Sequence, residues 1–155
     1  MIRPTKPEDT PELLALASGT EVFKPHEIIA LEEVLNDYHQ FNQGEGHRAV
    51  TYEQQGQIVG FAYFAPRAMT DRTWDLYWIA VTRQTQARGI GTRLLHHIEE
   101  AIRGLQGRLL LIETSSLPHY DLTRRFYVKH KYEQAAVIKD FYSDGDDLVI
   151  FRKRL

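Results

Sequence analysis

Gln86-Ala87-Arg88-Gly89-Ile90-Gly91-Thr92 stands between an apolar run, Trp74 to Val81 (WDLYWIAV), and a segment of helical periodicity. The run is rich in aromatic and β-branched residues and reads as a strand. In the segment after it, Ile90, Leu94, Leu95, Ile98 and Ile102 form one helical stripe, which Gly104 or Gly107 ends. The two glycines of the junction let the backbone turn tightly and leave no side chain over the loop. A helix start has unpaired N–H groups and a partial positive charge, so the junction suits an anion such as a pyrophosphate. Arg83, Arg88 and Arg93 add charge nearby. The spacing narrows the choice of nucleotide. A dinucleotide fingerprint needs a third glycine where Leu94 stands, which disfavours a nucleotide-dependent oxidoreductase. A P-loop needs Gly-Lys-Ser/Thr, which the chain lacks. Taken alone, two glycines also fit a turn that merely starts a helix.

Beyond the helix, Leu109 to Ile112 is too short and too apolar for a surface helix and suits a buried strand. The two strands flanking the helix are therefore expected to run parallel. Leu122 to Lys129 reads as a short helix, and Tyr132 to Lys139 and Leu148 to Lys153 as strands joined by an acidic loop. Before the junction, Arg48 to Glu53 and Ile58 to Ala65 read as paired strands about the Gly56 turn, with Pro66 as a stop. A helix from near Pro25 carries Ile28, Leu31, Leu35 and Tyr38 on one stripe. Its Glu27, Glu32, Glu33 and Asp37 read as a solvated face, with attraction of a substrate as the lesser alternative. An earlier helix can start at the capping-box spacing Thr5-Lys6-Pro7-Glu8 or at Asp9-Thr10-Pro11; Pro11 favours the later start. Leu13, Leu14, Leu16 and Ala17 form its face, Gly19 can end it, and Met1 to Pro4 suits a short strand. The order is β-α-α-β-β-β-α-β-α-β-β. It predicts an α/β fold with an α+β-like mixed sheet covered by helices, in a single domain over residues 1–155.

Composition excludes several functions. The 155 residues are 43% hydrophobic and 26% charged, enough for one sizeable core. Lys+Arg 19 against Asp+Glu 21 leave a formal net charge of -2, without the basic footprint of nucleic-acid binding. With no Cys, disulfides, thiolate metal sites and a cysteine nucleophile are excluded. The 7 His form no His-Glu-x-x-His pattern, so no metal is expected; His26 and His119 read as surface residues rather than site residues. Ser115-Ser116 lack a glycine-flanked nucleophile elbow and suit the mouth of a site instead. No apolar run approaches the roughly 20 residues of a membrane span. MIRPTKPEDT has no apolar signal core, and a cytoplasmic protein without membrane or nucleic-acid partners is expected.

Gln86-Ala87-Arg88-Gly89-Ile90-Gly91 resembles the Gln/Arg-x-x-Gly-x-Gly/Ala signature of the GNAT superfamily of N-acetyltransferases. Leu76-Tyr77-Trp78-Ile79-Ala80-Val81 looks like that family's cofactor-binding strand, and Arg125-Phe126-Tyr127 with Tyr132 looks like its late helix and strand. The element order agrees too, so the resemblance covers nearly the whole chain. It implies a GNAT-like fold and direct transfer of an acetyl group from acetyl-CoA to a primary amine. It places the pantetheine arm on main-chain groups along Ile79, Ala80 and Val81. The pyrophosphate is then expected on the N–H groups of Gln86, Ala87, Arg88, Gly89, Ile90, Gly91 and Thr92. The acetyl group falls where the strands carrying Ile79–Val81 and Ile112–Thr114 splay apart. A homodimer is a family-level expectation. With no Cys to carry an acyl intermediate, a ternary complex is expected. The alternative is a non-catalytic acyl-CoA-binding or regulatory module, which would be free to lose its proton-transfer groups.

The chemistry needs two proton transfers. An attacking amine with a pKa of about 10.4 must first be neutral, and a carboxylate can take its proton. The departing thiolate gains from a nearby donor such as a Tyr hydroxyl. By the resemblance, Tyr127 is the best candidate for general acid, since it holds the tyrosine position of the Phe-Tyr pair; a Tyr on a short helix also suits simple packing. Glu113, at the C-terminal end of its strand, is the leading base candidate: it aligns with the glutamate that resembling peptide N-terminal acetyltransferases carry there, and it also reads as a strand-end carboxylate that is solvated or paired with an Arg. Asp75 and Glu53 are weaker alternatives. Two positions depart from the family: Lys131 stands where Gly is frequent, which predicts a turn of another shape, and Tyr120 stands where Asn is common. The acceptor side is read from Asp140-Phe141-Tyr142-Ser143-Asp144-Gly145-Asp146-Asp147, with four carboxylates, two rings and no basic residue. Asp140, Phe141, Tyr142 and Asp144 are the candidate contacts to a cationic amine. The same residues also suit a solvated hairpin turn.

Overall fold

The strand segments pair into a single mixed sheet, and the computed structural model describes residues 1–85 and 88–155 of it and its helices. The strands are β1 (Ile2–Pro4), β2 (Arg48–Gln54), β3 (Gln57–Pro66), β4 (Thr73–Val81), β5 (Leu109–Ser115), β6 (Glu133–Ser143) and β7 (Asp146–Arg154). Their order across the sheet is β1-β2-β3-β4-β5-β7-β6. The helices are α1 (Thr10–Gly19), α2 (Pro25–Asp37), α3 (Ile90–Gly104) and α4 (Asp121–Lys129). The chain order is the one the sequence predicts. β4 and β5, joined through α3, are parallel, and their neighbours pair antiparallel.

Helices cover both faces because both faces are apolar. The α3 stripe of Ile90, Leu94, Leu95, Ile98 and Ile102 is fully buried against Ala62, Phe64, Leu76, Leu110 and Phe151. On the other face, Leu13, Leu16 and Ala17 of α1 and Leu31 and Leu35 of α2 pack on Phe61 and Ala80. Pro11 sets the start of α1, as expected: Pro7–Asp9 is a 3-10 turn and the α-helix begins at Thr10. Asp9 closes that turn by accepting a hydrogen bond from the Lys6 N–H at 2.7 Å.

Two expectations are corrected. Lys131 does not reshape the turn after α4. It sits at φ +74°, a conformation that favours glycine, and Tyr132 N–H to Tyr127 O (3.0 Å) with Lys131 N–H to Val128 O (3.1 Å) closes the usual left-handed helix cap. The acidic segment is not an open loop. β6 runs through Ser143 and β7 starts at Asp146, which leaves Asp144-Gly145 as the turn. The register jumps from Ile138↔Leu148 to Ser143↔Asp146, so Lys139 to Tyr142 form a wide bulge opposite Asp147. Two of its carboxylates hold the bulge: Asp147 Oδ1 accepts from Asp140 N–H (2.9 Å) and Asp140 Oδ1 accepts from Gly145 N–H (2.8 Å). A turn whose backbone needs acceptors explains the aspartates as well as a ligand does.

Candidate active site

The site is an interruption in the sheet. β4 and β5 pair only from Thr73↔Leu109 to Leu76↔Ile112. Beyond that point β4 stays with β3 as far as Gly60↔Val81, while β5 follows β7 through Glu113↔Ile150 to Ser115↔Leu148. The two strands therefore part beyond Leu76 and Ile112. A bulge in β4 shapes the gap. Tyr63 pairs with Trp78 and Phe64 with Leu76, so the register skips Tyr77. A skipped residue reverses the alternation of side chains. Hence Trp74, Leu76, Ile79 and Val81 all face the α3 core, and Trp78 and Ala80 face α1 and α2.

At one end of the gap lies the glycine junction. Gly89 has φ +77°, and a Cβ placed there would meet nothing within 4 Å, so the main chain is uncovered. Gly91 lies over Phe126, which a Cβ would approach to 3.5 Å. Ile90 is fully buried and anchors the helix start, and Arg88 is exposed. Thr92 shares a hydrogen bond with His130 (Oγ1 to Nε2, 3.1 Å), which ties the start of α3 to the end of α4. Of the flanking arginines, Arg83 pairs with Glu21 at 3.0 Å and Arg93 donates to Tyr52 Oη at 3.3 Å. The expected contacts of Gln86 and Ala87 lie outside the described residues.

At the other end, on the α1–α2 face, a cleft of about 140 Å³ is lined by Asp75, Leu76, Tyr77, Leu111, Glu113 and Tyr142. Arg67 organises its charge. The guanidinium grips buried Asp75 with two bonds, Nε to Oδ2 and Nη2 to Oδ1, both 2.9 Å, and its Nη2 lies 3.8 Å from Glu113 Oε1. Both oxygens of Asp75 are thus occupied by Arg67. Glu113 keeps 43% of its side chain exposed. Tyr142 is pushed up to about 12 by burial, reinforced by the carboxylates of Glu113, Asp146 and Glu27. Glu53 lies away from the cleft, paired with Arg3 at 3.6 Å. A larger groove of about 380 Å³, lined by Glu12, Leu16, Ile58, Thr82, Arg83 and Gln84, touches none of these cleft residues.

Tyr127 comes from the opposite face. It is 3% exposed, packed against Phe126, Tyr132 and Phe151, and burial, with Tyr120 nearby, raises its phenol above the ordinary 10. Of the acceptor-side candidates, Tyr142 lines the cleft, Phe141 stacks edge-on against it (5.0 Å), Asp140 is occupied within the hairpin and Asp144 is exposed in the turn. Asp146 is buried on Ser115 Oγ, and Ser116 Oγ accepts from Asp147 N–H (2.8 Å), so both serines brace the hairpin against β5. Tyr120 donates to Val22 O at 3.5 Å and reaches the segment between α1 and α2. Arg67 and Thr114 escaped sequence reading: no motif marks an Arg eight residues before its Asp, or a Thr whose hydroxyl has no partner.

Among the described residues no cluster of His, Asp and Glu could hold a metal ion, and no helix is long and apolar enough to cross a membrane. The family model "Acetyltransferase (GNAT) domain" matches residues 45–134. A GNAT-family protein from Desulfovibrio desulfuricans has a crystal structure similar to this one with TM-score 0.94 and 33% identity, over 99% of this chain and 98% of that one. An aminoglycoside 6'-N-acetyltransferase complexed with coenzyme A gives TM-score 0.79 at 19% identity, over 99% and 96%. The ribosomal-protein-alanine N-acetyltransferase from Brucella melitensis gives 0.79 at 19%, over 100% and 99%. No curated protein sequence matches the chain. The family match spans more than half of the chain, and a relative of one-third identity spans nearly all of it; the protein belongs to the GNAT family and is an acyltransferase.

Proposed function

We propose that the protein moves an acetyl group directly from acetyl-CoA to a primary amine on a cationic small molecule or peptide. The observation that carries this reading is the gap between β4 and β5, which has the uncovered glycine junction at one end and the Glu113 cleft at the other. The residues suit the donor. Gly89 leaves the helix start open to a pyrophosphate, and Tyr77 to Ala80 have no β5 partner in register. The cleft suits an ammonium: Glu113 and Tyr142 line it, and the charges of Glu113, Asp146 and Glu27 all act on that phenol.

In this reading Glu113 takes a proton from the incoming ammonium, directly or through water. The neutral nitrogen attacks the thioester carbonyl, the C–N bond forms and the C–S bond breaks. Tyr127 gives its proton to the departing thiolate. A phenol raised by burial remains protonated at neutral pH, so the donor is present when the sulfur needs it. Calorimetric titration with acetyl-CoA, followed by a thiol-release screen of amines, tests the reading. Micromolar binding with release of CoA on a cationic amine is expected. Binding without release on any amine leaves an acyl-CoA-binding module, and no binding removes the donor.

A further inference from the structure

Thr114 carries a hydroxyl that the folded chain leaves without a partner. The residue is 6% exposed, and no hydrogen bond reaches its Oγ1. Several other buried hydroxyls have partners: Thr5 with Thr51 at 2.8 Å, Thr20 on Ala17 O at 2.7 Å, Tyr132 on Glu99 at 2.7 Å, and Ser115 on Asp146. Among the described residues the one other orphaned side-chain atom is His39 Nε2. Buried polar groups without partners are rare because each forfeits its bonds to water. A valine would fill the same space at no such cost.

The position of Thr114 indicates what could satisfy it. Ile112 is the last β5 residue paired with β4, and Thr114 lies two residues past it, where β4 has turned away. Alternation puts its side chain on the face of Leu110 and Ile112, the face that also buries Tyr127. Val149 holds its backbone from the β7 side. Thr114 thus stands on the parted stretch of β5, past its last pair with β4, with its hydroxyl shielded from solvent. We propose that Thr114 Oγ1 is a binding residue of the donor site and hydrogen-bonds the acyl-pantetheine arm of bound acyl-CoA. The arm offers amide groups and a thioester carbonyl, and a hydroxyl can donate or accept, so either polarity is met. The assignment rests on the acetyl-CoA reading above.

Two properties move in opposite directions if this is right. In Thr114→Val, the melting temperature of the ligand-free protein should stay level or rise, because no bond is lost. Calorimetric affinity for acetyl-CoA should fall between about twofold and tenfold, the range of one net hydrogen bond. Affinity for 3'-phospho-ADP, which lacks the arm, should be unchanged. Thr114→Ser keeps the hydroxyl and should bind acetyl-CoA like the wild type. Equal acetyl-CoA affinity in wild type and Thr114→Val overturns the assignment. So does a fall of several degrees in ligand-free melting temperature, which would show a bond within the protein. Failure of the wild type to bind acetyl-CoA at all removes the donor reading itself, and this assignment with it.

Discussion

Replacing Glu113 by Gln removes charge and basicity while keeping size. The residue lies at the cleft with its nearest cation, Arg67 Nη2, at 3.8 Å, so no short ion pair is broken by the change. At pH 7 an amine of pKa about 10.4 is neutral in about one molecule in 2,500. An enzyme with a base can bind the abundant ammonium and deprotonate it in place. The variant must wait for amine that is already neutral. Loss of a general base lowers kcat/KM by roughly 10² to 10⁴-fold. The share of neutral amine then rises tenfold per pH unit. Between pH 7 and 9 the variant should recover about 100-fold with unit logarithmic slope, while the wild type stays nearly flat. Thiol release with a cationic amine, followed across that range, is the assay. A carboxylate that only attracts the acceptor gives another pattern: a raised acceptor KM, weakened by salt, with the pH slope unchanged. Parallel pH profiles for variant and wild type would refute the base assignment.

Tyr127→Phe should lower kcat by about 100-fold or more, as loss of a general acid does, with calorimetric affinity for acetyl-CoA within about twofold of wild type. Lys131→Gly should stabilise: a non-glycine residue at φ +74° costs about 1 kcal/mol. The looser unfolded chain returns part of that, leaving about 0.5 kcal/mol and a rise in Tm of about 1–2 °C. Burial lowers the pKa of His39, His47 and His130 below the ordinary imidazole value. The unfolded chain then binds more protons than the folded one below pH ~6.5. Thermal melts should show this contribution to stability fully present above that pH and lost as pH falls toward 5; a flat Tm over that interval would contradict the lowered histidine pKa values.

The fold was legible because its helices are amphipathic and its turns are marked. The stripe Ile90–Ile102 and the spacing Ile28, Leu31, Leu35, Tyr38 each state a period, and Pro11 and Pro25 state where helices begin. The Tyr77 bulge was not legible. β4 is covered on both faces, so WDLYWIAV carries no alternation from which a skipped residue could show. The hairpin between β6 and β7 misled for a related reason. A run of aspartates reads as solvated charge, yet Asp146 is 3% exposed, and Asp140 and Asp147 bind backbone N–H groups. Arg67 and Asp75 lie eight residues apart on different segments, so only the folded pair shows why a buried carboxylate is tolerated. Thr114 looks like any β-branched strand residue until its oxygen is found alone.

The two candidate proton carriers lie on opposite faces of the sheet. Leu111 and Glu113 alternate toward the cleft, whereas Leu110 and Ile112 share the core with Tyr127. In the proposed reaction one proton leaves nitrogen and another reaches sulfur, so the two roles need separate groups. The arrangement gives each group its own environment. Glu113 is 43% exposed at the cleft, so water can carry its proton away. Tyr127 is walled in by Phe126, Tyr132 and Phe151, and burial lifts its phenol above 10. A raised phenol keeps its proton as pH climbs, so Tyr127 cannot be the source of a fall in activity below about pH 10. Wild type and Tyr127→Phe should therefore share any alkaline limb seen between pH 8 and 10. If that limb disappears in Tyr127→Phe alone, the phenol is titrating there and its burial does not govern it.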